Sequence, residues 1–180
     1  MRLDPNRPFI PLKCVVVTLS DTRTEDSDTS GQYLVQALTE GGHTLVDKMI
    51  IPDHRENIIA ALRESITNPN IDVVLCTGGT GLTGRDQTPE ALEAVVEKWI
   101  PGFGELFRWL SYQKIGTSTI QSRACAGLAS GTLIFALPGS PSACRDAWTG
   151  ILAAQLNSQH RPCNFAELLP RLQESPIRRK

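Results

Sequence analysis

Val73-Val74-Leu75-Cys76-Thr77-Gly78-Gly79-Thr80-Gly81-Leu82-Thr83-Gly84-Arg85-Asp86-Gln87-Thr88-Pro89-Glu90 joins an apolar run, a glycine loop, a carboxylate and a helix start in one piece of chain. Residues 71–75 read as a strand covered on both faces. It empties into glycines that adopt positive φ and let main-chain N–H groups approach an anion. Thr88 offers an N-cap hydroxyl, Pro89 suits the first helical position, and Ala91, Leu92, Val95 and Val96 begin an amphipathic stripe. The loop is thus expected at the carboxyl end of a strand, facing a helix N-terminus, the usual ligand position of an open α/β sheet. Asp86 would repel a phosphate unless a cation bridged them, so it reads as a metal-facing or proton-handling group.

Two other phosphate motifs share this spacing and fail on detail. Gly79-x-Gly81-x-x-Gly84 matches the dinucleotide fingerprint as a string, but that fingerprint places its third glycine in the following helix, and here the helix starts later. Arg85 and Asp86 stand where a P-loop requires lysine and a hydroxyl residue.

Upstream, the pattern is strand over 14–19, helix over 32–40 ending at Gly41-Gly42, strand over 44–51, and helix over 53–66 closed by Asn68-Pro69. This βαβαβ start predicts a parallel sheet with helices on both faces, a three-layer αβα architecture. Downstream, Phe103, Leu106, Phe107 and Leu110 form a helical stripe suited to core or to a subunit contact, a choice that also covers Trp99 and Trp109. Residues 124–128 and 133–137 read as a hairpin or neighbouring strands. Ser140-Pro141 opens a helix expected to run to 156, making Pro138-Gly139-Ser140 a second strand-to-helix anion site.

With 180 residues, 41% of them hydrophobic, the chain is expected to form one domain, 1–180, with its core at about 13–165 and short flexible tails. A net charge of -1 supplies no global field for nucleic acid or acidic membranes. No apolar run reaches membrane-spanning length, and residues 1–8 lack the apolar segment of a signal peptide. The five cysteines contain no Cys-x-x-Cys pair and read as reduced packing thiols in a cytoplasm. The spacing of His43, His54 and His160 suggests neither a zinc cluster nor a Ser-His-Asp relay. Asp26-x-Asp28-x-Ser30-Gly31 begins like a calcium loop but reaches Ala37 where the bidentate glutamate belongs. The tail 175–180 reads as basic and frayed.

Asp53 and Asp86 follow successive strands, an arrangement that brings both to one rim of the sheet. Asp53-x-x-Glu56 is equally a capping box for the helix it opens. Ser122-Arg123 offers a hydroxyl and a fixed cation for a pterin or phosphate, or an ordinary surface pair.

Thr77-Gly78-Gly79-Thr80-Gly81 followed by Arg85-Asp86-x-Thr88-Pro89-Glu90 resembles the signature of the molybdenum-cofactor biosynthesis family that includes MogA, MoaB and the molybdopterin-binding domain of gephyrin. Ser20-Asp21-Thr22-Arg23, Asp28-Thr29-Ser30-Gly31, Ile51-Pro52-Asp53, Pro101-Gly102-Phe103-Gly104-Glu105, Ile115-Gly116-Thr117-Ser118, Gln121-Ser122-Arg123-Ala124 and Leu137-Pro138-Gly139-Ser140 agree in order. The resemblance spans 13–165, and Arg161-Pro162-Cys163-Asn164-Phe165 is similar to the MoaB branch. It implies the MogA-like molybdopterin-binding fold and a reaction in which ATP adenylylates molybdopterin with release of pyrophosphate. On that reading Asp53 and Asp86 are catalytic and hold Mg²⁺, and the loop of Asp21, Asp26 and Asp28 rims the substrate pocket. Ser20, Asp21, Gly78, Gly79, Thr80, Gly81, Thr88, Ser122, Pro138, Gly139 and Ser140 bind substrate.

The resemblance further implies a homotrimer or hexamer and contacts with other proteins of the cofactor pathway, and leaves the choice between a molybdenum and a tungsten route open. Two alternatives from other classes stand beside it: a non-catalytic molybdopterin carrier, and a nicotinamide oxidoreductase using Gly79, Gly81 and Gly84 with Glu105 as the ribose-binding acid.

Overall fold

A computed structural model describes residues 2–172; the tail at 175–180 lies outside the described residues. In chain order the elements are β1 (Arg2–Leu3), β2 (Lys13–Leu19), α1 (Thr29–Glu40), β3 (Thr44–Ile51), α2 (Arg55–Thr67), β4 (Val73–Thr77), α3 (Thr88–Glu93), β5 (Lys98–Trp99) and α4 (Pro101–Ile115). A 3₁₀ segment (Gly116–Gln121), β6 (Cys125–Ala129), β7 (Thr132–Leu137) and α5 (Pro141–Ala147) follow. Helix α5 passes through a π-helical turn (Trp148–Leu152) into α6 (Ala153–Gln155), and β8 (His160–Arg161), α7 (Phe165–Leu168) and a 3₁₀ segment (Leu169–Arg171) follow.

Six strands form one sheet in the order β3-β2-β4-β7-β6-β5. The first four run parallel, while β6 and β5 are antiparallel to their neighbours. Every residue of β4 is buried, because it lies between β2 and β7 with helices over both faces. Alternation along the strands separates two cores. Cys14, Val16, Leu75 and Phe135 pack under α1, α4 and α5 with Leu34, Leu38, Phe107 and Trp148. Val15, Val17, Val74, Cys76 and Ile134 pack under α2 and α3 with Ile58, Leu62 and Leu92. The expected αβα layering and mostly parallel sheet are therefore present.

Several local expectations are corrected. Helix α1 starts at Thr29 rather than 32, since Asp28 caps it by accepting the Gly31 N–H at 2.9 Å. Helix α2 starts at Arg55 with His54 as its N-cap and no side-chain capping bond, so the Asp53-x-x-Glu56 box does not form. Helix α3 ends at Glu93, and Val95 and Val96 join the core from the segment after it. The 103–110 stripe, open between core and surface contact in the sequence, divides: Phe103 and Phe107 are core and Leu106 is exposed, as are Trp109, Tyr112 and Ile115 elsewhere on α4. Cys163 is exposed, unlike the buried Cys14, Cys76 and Cys144.

Candidate active site

The carboxyl ends of β2, β4 and β7 converge on a cavity of about 350 Å³. Its position follows from topology: β2 is joined to β3 on one side and hydrogen-bonded to β4 on the other, so the loops after β2 and β4 diverge and leave a crevice. Gly78 and Gly79 turn the chain out of β4 with φ of +119° and +61°. The Gly78 N–H donates to the Leu137 carbonyl at 3.0 Å, tying the turn to β7. On the β7 side, a Cβ built on Gly139 would lie 3.4 Å from the Gly78 Cα, so the two turns meet main chain to main chain. The N–H groups of Gly79 and Thr80 carry no hydrogen bond among the described residues and are available to an anion.

Ser20, Gly78, Gly79, Thr80, Gly81, Asp86, Ser122, Pro138 and Gly139 all line the cavity. Thr88 does not; it is buried and donates its hydroxyl to the Gly78 carbonyl at 2.8 Å, with Gln87 as the N-cap of α3. The expected N-cap is thus a brace for the glycine turn. Ser140 caps α5 by accepting the Ala143 N–H at 3.2 Å. Asp21 accepts the Asp53 N–H at 3.0 Å and pairs with Arg85.

Asp53 and Asp86 sit beneath the same loop. A Cβ on Gly79 would stand 2.8 Å from Asp53 Oδ1, and one on Gly81 would stand 2.7 Å from Asp86 Oδ2. Their environments push their acidities apart. Burial, then the charges of Asp86 and Asp21, raises the pKa of Asp53. Burial also works against the Asp86 charge, but hydrogen bonds from Thr83 and Gly81 and the charge of Arg123 outweigh it and hold its pKa low. Thr83 supplies two of those bonds, N–H at 2.9 Å and hydroxyl at 2.6 Å. Asp53 Oδ1 is buried with no partner among the described residues, an arrangement that is costly for a carboxylate unless a cation or proton meets it.

Sequence reasoning missed the cavity role of Thr18, whereas Asp28 lies on the loop that the resemblance implies at the rim of the pocket. Asp28 lines the cavity while almost fully buried, accepts the Thr18 hydroxyl at 2.9 Å and meets Lys48 Nζ at 3.0 Å. Burial opposes the Lys48 charge, yet hydrogen bonds to Glu25 and Asp28 outweigh it and raise its pKa. The sequence signals for Asp28 are the polar loop that caps the first helix and the match of Asp28-Thr29-Ser30-Gly31 to the family. Arg123 lies outside the cavity, behind the loop, so of the Ser122-Arg123 pair only Ser122 lines it.

The described probable molybdopterin binding domain matches residues 15–158. The chain belongs to this molybdenum cofactor biosynthesis family. It is 52% identical over 157 residues to molybdenum cofactor biosynthesis protein B of Escherichia coli K12, covering 87% of this chain and 92% of that one. A crystal structure of a molybdenum cofactor biosynthesis protein B superposes with a TM-score of 0.84 at 38% identity, over 94% of this chain and all of the other. The tungsten cofactor synthesizing protein MoaB of Pyrococcus furiosus superposes with a TM-score of 0.75 at 32% identity, over 91% and 98% of the two chains. Membership assigns the protein to molybdenum cofactor biosynthesis. The nicotinamide alternative loses its footing, because Gly84 lies in the loop before α3 with nothing within 4 Å of its Cβ position, where the fingerprint needs a close helix contact.

Two expected outcomes arise from these carboxylates. Lys48→Met leaves Asp28 buried without its cation and is expected to destabilise the protein by about 2–4 kcal/mol. The double variant with Asp28→Asn should recover at least half of that in urea unfolding; no recovery would mean that the pair is not coupled. For Asp53 the folded pKa is raised, so folding disfavours its charged form. Stability is then greatest below the unfolded carboxylate pKa and is lost as pH rises through the folded one. Asp53→Asn is therefore expected to raise the melting temperature of the ligand-free protein at neutral pH by about 2–4 °C, and equal melting temperatures would remove the charge repulsion from the account.

Proposed function

We propose that the protein adenylylates molybdopterin: an oxygen of the pterin's terminal phosphate attacks the α-phosphorus of ATP, the α–β bridging bond breaks, and pyrophosphate leaves. The observation that carries this reading is the pair of carboxylates with opposed acidities under one loop of free N–H groups, Asp53 raised and Asp86 lowered. Transfer at phosphorus depends on positioning and charge neutralisation more than on covalent help from the protein. The Gly79 and Thr80 N–H groups and the start of α5 suit phosphate oxygens, Arg23 adds a cation at the cavity wall, and Ser20 and Ser122 supply orienting hydroxyls.

Mg²⁺ fits these residues. No cluster of three or more His, Cys, Asp or Glu capable of holding a metal exists among the described residues, and Mg²⁺ is commonly held by one or two carboxylates with substrate phosphates and water completing its shell. Asp53 and Asp86 would hold it, the unpartnered Asp53 Oδ1 gaining a partner. When bound, the ion neutralises charge on the phosphates.

The exposed apolar side chains of α4, Trp109 and Tyr112 among them, support self-association as a trimer or hexamer. No helix among the described residues is long and apolar enough to cross a membrane, and this agrees with cytoplasmic work beside other proteins of the pathway. One solved relative, from Pyrococcus furiosus, is named for tungsten cofactor synthesis, which supports keeping a tungsten route beside the molybdenum one in this proposal. The decisive experiment incubates the protein with molybdopterin, ATP and Mg²⁺ and measures adenylylated pterin and pyrophosphate. Equimolar products support the enzyme, while tight pterin binding with no ATP affinity by titration calorimetry makes it a carrier instead.

A further inference from the structure

The segment leading into β6 carries two neighbours with different surroundings. Ser122 faces the cavity, and Arg123 runs behind the loop that holds Asp86. The Arg123 main-chain N–H donates to the Thr80 carbonyl at 2.9 Å, Nε to the Gly81 carbonyl at 2.7 Å and Nη2 to the Asp86 carbonyl at 2.6 Å, while Nη1 pairs with the Glu90 carboxylate. These contacts fall at the start, the end and the exit of the turn. Between β4 and α3 the chain has no regular secondary structure; Thr88 closes it onto Gly78 and Gly79 and Arg85 ties it to Asp21, but its remaining internal bonds are short-range, such as Asp86 N–H to the Thr83 carbonyl at 3.0 Å. A loop of this kind keeps many conformations unless something outside it removes them.

Arg123 is itself held. Arg108 of α4 donates to the carbonyls on either side of it, Ser122 at 3.4 Å and Ala124 at 3.1 Å. A Cβ on Gly104 would come within 2.5 Å of the Ala124 carbonyl, so α4 can approach this segment only because that position has no side chain. Two arginines in series thus connect α4 to the loop under which both carboxylates lie.

We propose that Arg123 is a positioning residue that fixes the loop 80–86, and with it the Asp86 carboxylate and the neighbouring amides, without touching substrate. The planar guanidinium presents Nε and Nη2 along one edge to two carbonyls and Nη1 to Glu90, a division of labour that the point charge of a lysine cannot copy. Only the kinetic part of this inference rests on the adenylylation reading.

The test compares full-length Arg123→Met, Arg123→Lys and Glu90→Gln with wild type by amide hydrogen exchange, steady-state kinetics with molybdopterin and Mg-ATP, and direct pterin titration. Exchange of the hydrogen-bonded loop amides of Thr83, Asp86 and Thr88 is expected to accelerate at least ~10-fold in both Arg123 variants while β4 and β7 keep their protection. The kcat is expected to fall about 10- to 100-fold, with pterin affinity changing less than about 3-fold. Half-saturation by Mg²⁺ should move to higher concentration. Wild-type exchange in the loop, or a loss confined to pterin affinity, would overturn the proposal, the latter making Arg123 a ligand contact. If Arg123→Met does not fold, Arg123→Lys and Glu90→Gln carry the same comparison. A wild-type protein without turnover would defeat the adenylylation reading, leaving the brace to be decided by exchange and pterin titration.

Discussion

Asp86→Asn is expected to bind molybdopterin within about 3-fold of wild type and to form adenylylated pterin about 100- to 1000-fold more slowly. The substitution keeps the size of the side chain and an oxygen able to accept the two Thr83 bonds, so the loop has no reason to rearrange. What it removes is a negative charge that its hydrogen bonds keep ionised through the neutral range. That charge serves the reacting phosphates only through a cation, so added Mg²⁺ should restore part of the rate. Unchanged pyrophosphate release would exclude Asp86 from the chemistry. The wild-type rate should also fall toward acid pH, beginning above the ordinary carboxylate range, because Asp53 takes up its proton early. In Asp86→Asn that acid limb should move to lower pH, since the charge that raises the Asp53 pKa most has gone.

Gly78→Ala is expected to cost about 3–5 kcal/mol of folding stability and to abolish ligand binding. Gly78 has φ of +119°, and the added Cβ would stand 2.4 Å from the Leu19 carbonyl oxygen, a main-chain atom of the neighbouring strand. Neither atom can move without disturbing β2 or β4, which are hydrogen-bonded along their length. Its own bonds, N–H to Leu137 and carbonyl from Thr88, anchor the turn on both sides. Gly84→Ala is the matched control: nothing lies within 4 Å of its Cβ position, and it should unfold in urea within about 0.5 kcal/mol of wild type. Equal stability of the two variants would show that the turn is plastic.

The parallel core was legible because its signals are local and repeated. Strand β3 occupies the expected residues 44–51, and the two-glycine stop after α1 falls where the helical stripe ends. The short strands β1, β5 and β8 are two residues each, too brief to carry a period of two. The misreadings share one cause. Thr88 and Asp53 both carry sensible local capping signals, but each is recruited by the glycine turn, Thr88 onto the Gly78 carbonyl and Asp53 beneath Gly79. A contact between residues 26 positions apart in sequence leaves no trace in either neighbourhood. Arg123 shows the same limit: adjacent side chains on an extended segment point to opposite sides, and only the fold decides which side holds the cavity.

The bare contact between the turns at Gly78 and Gly139 also makes them mechanically dependent. With no side chain between them to flex, a displacement of either backbone is expected to bear directly on the other. A guest seated on one ridge therefore presses on the other, and the helix that starts just beyond Gly139 should register its arrival through chemical-shift changes in residues that never touch it.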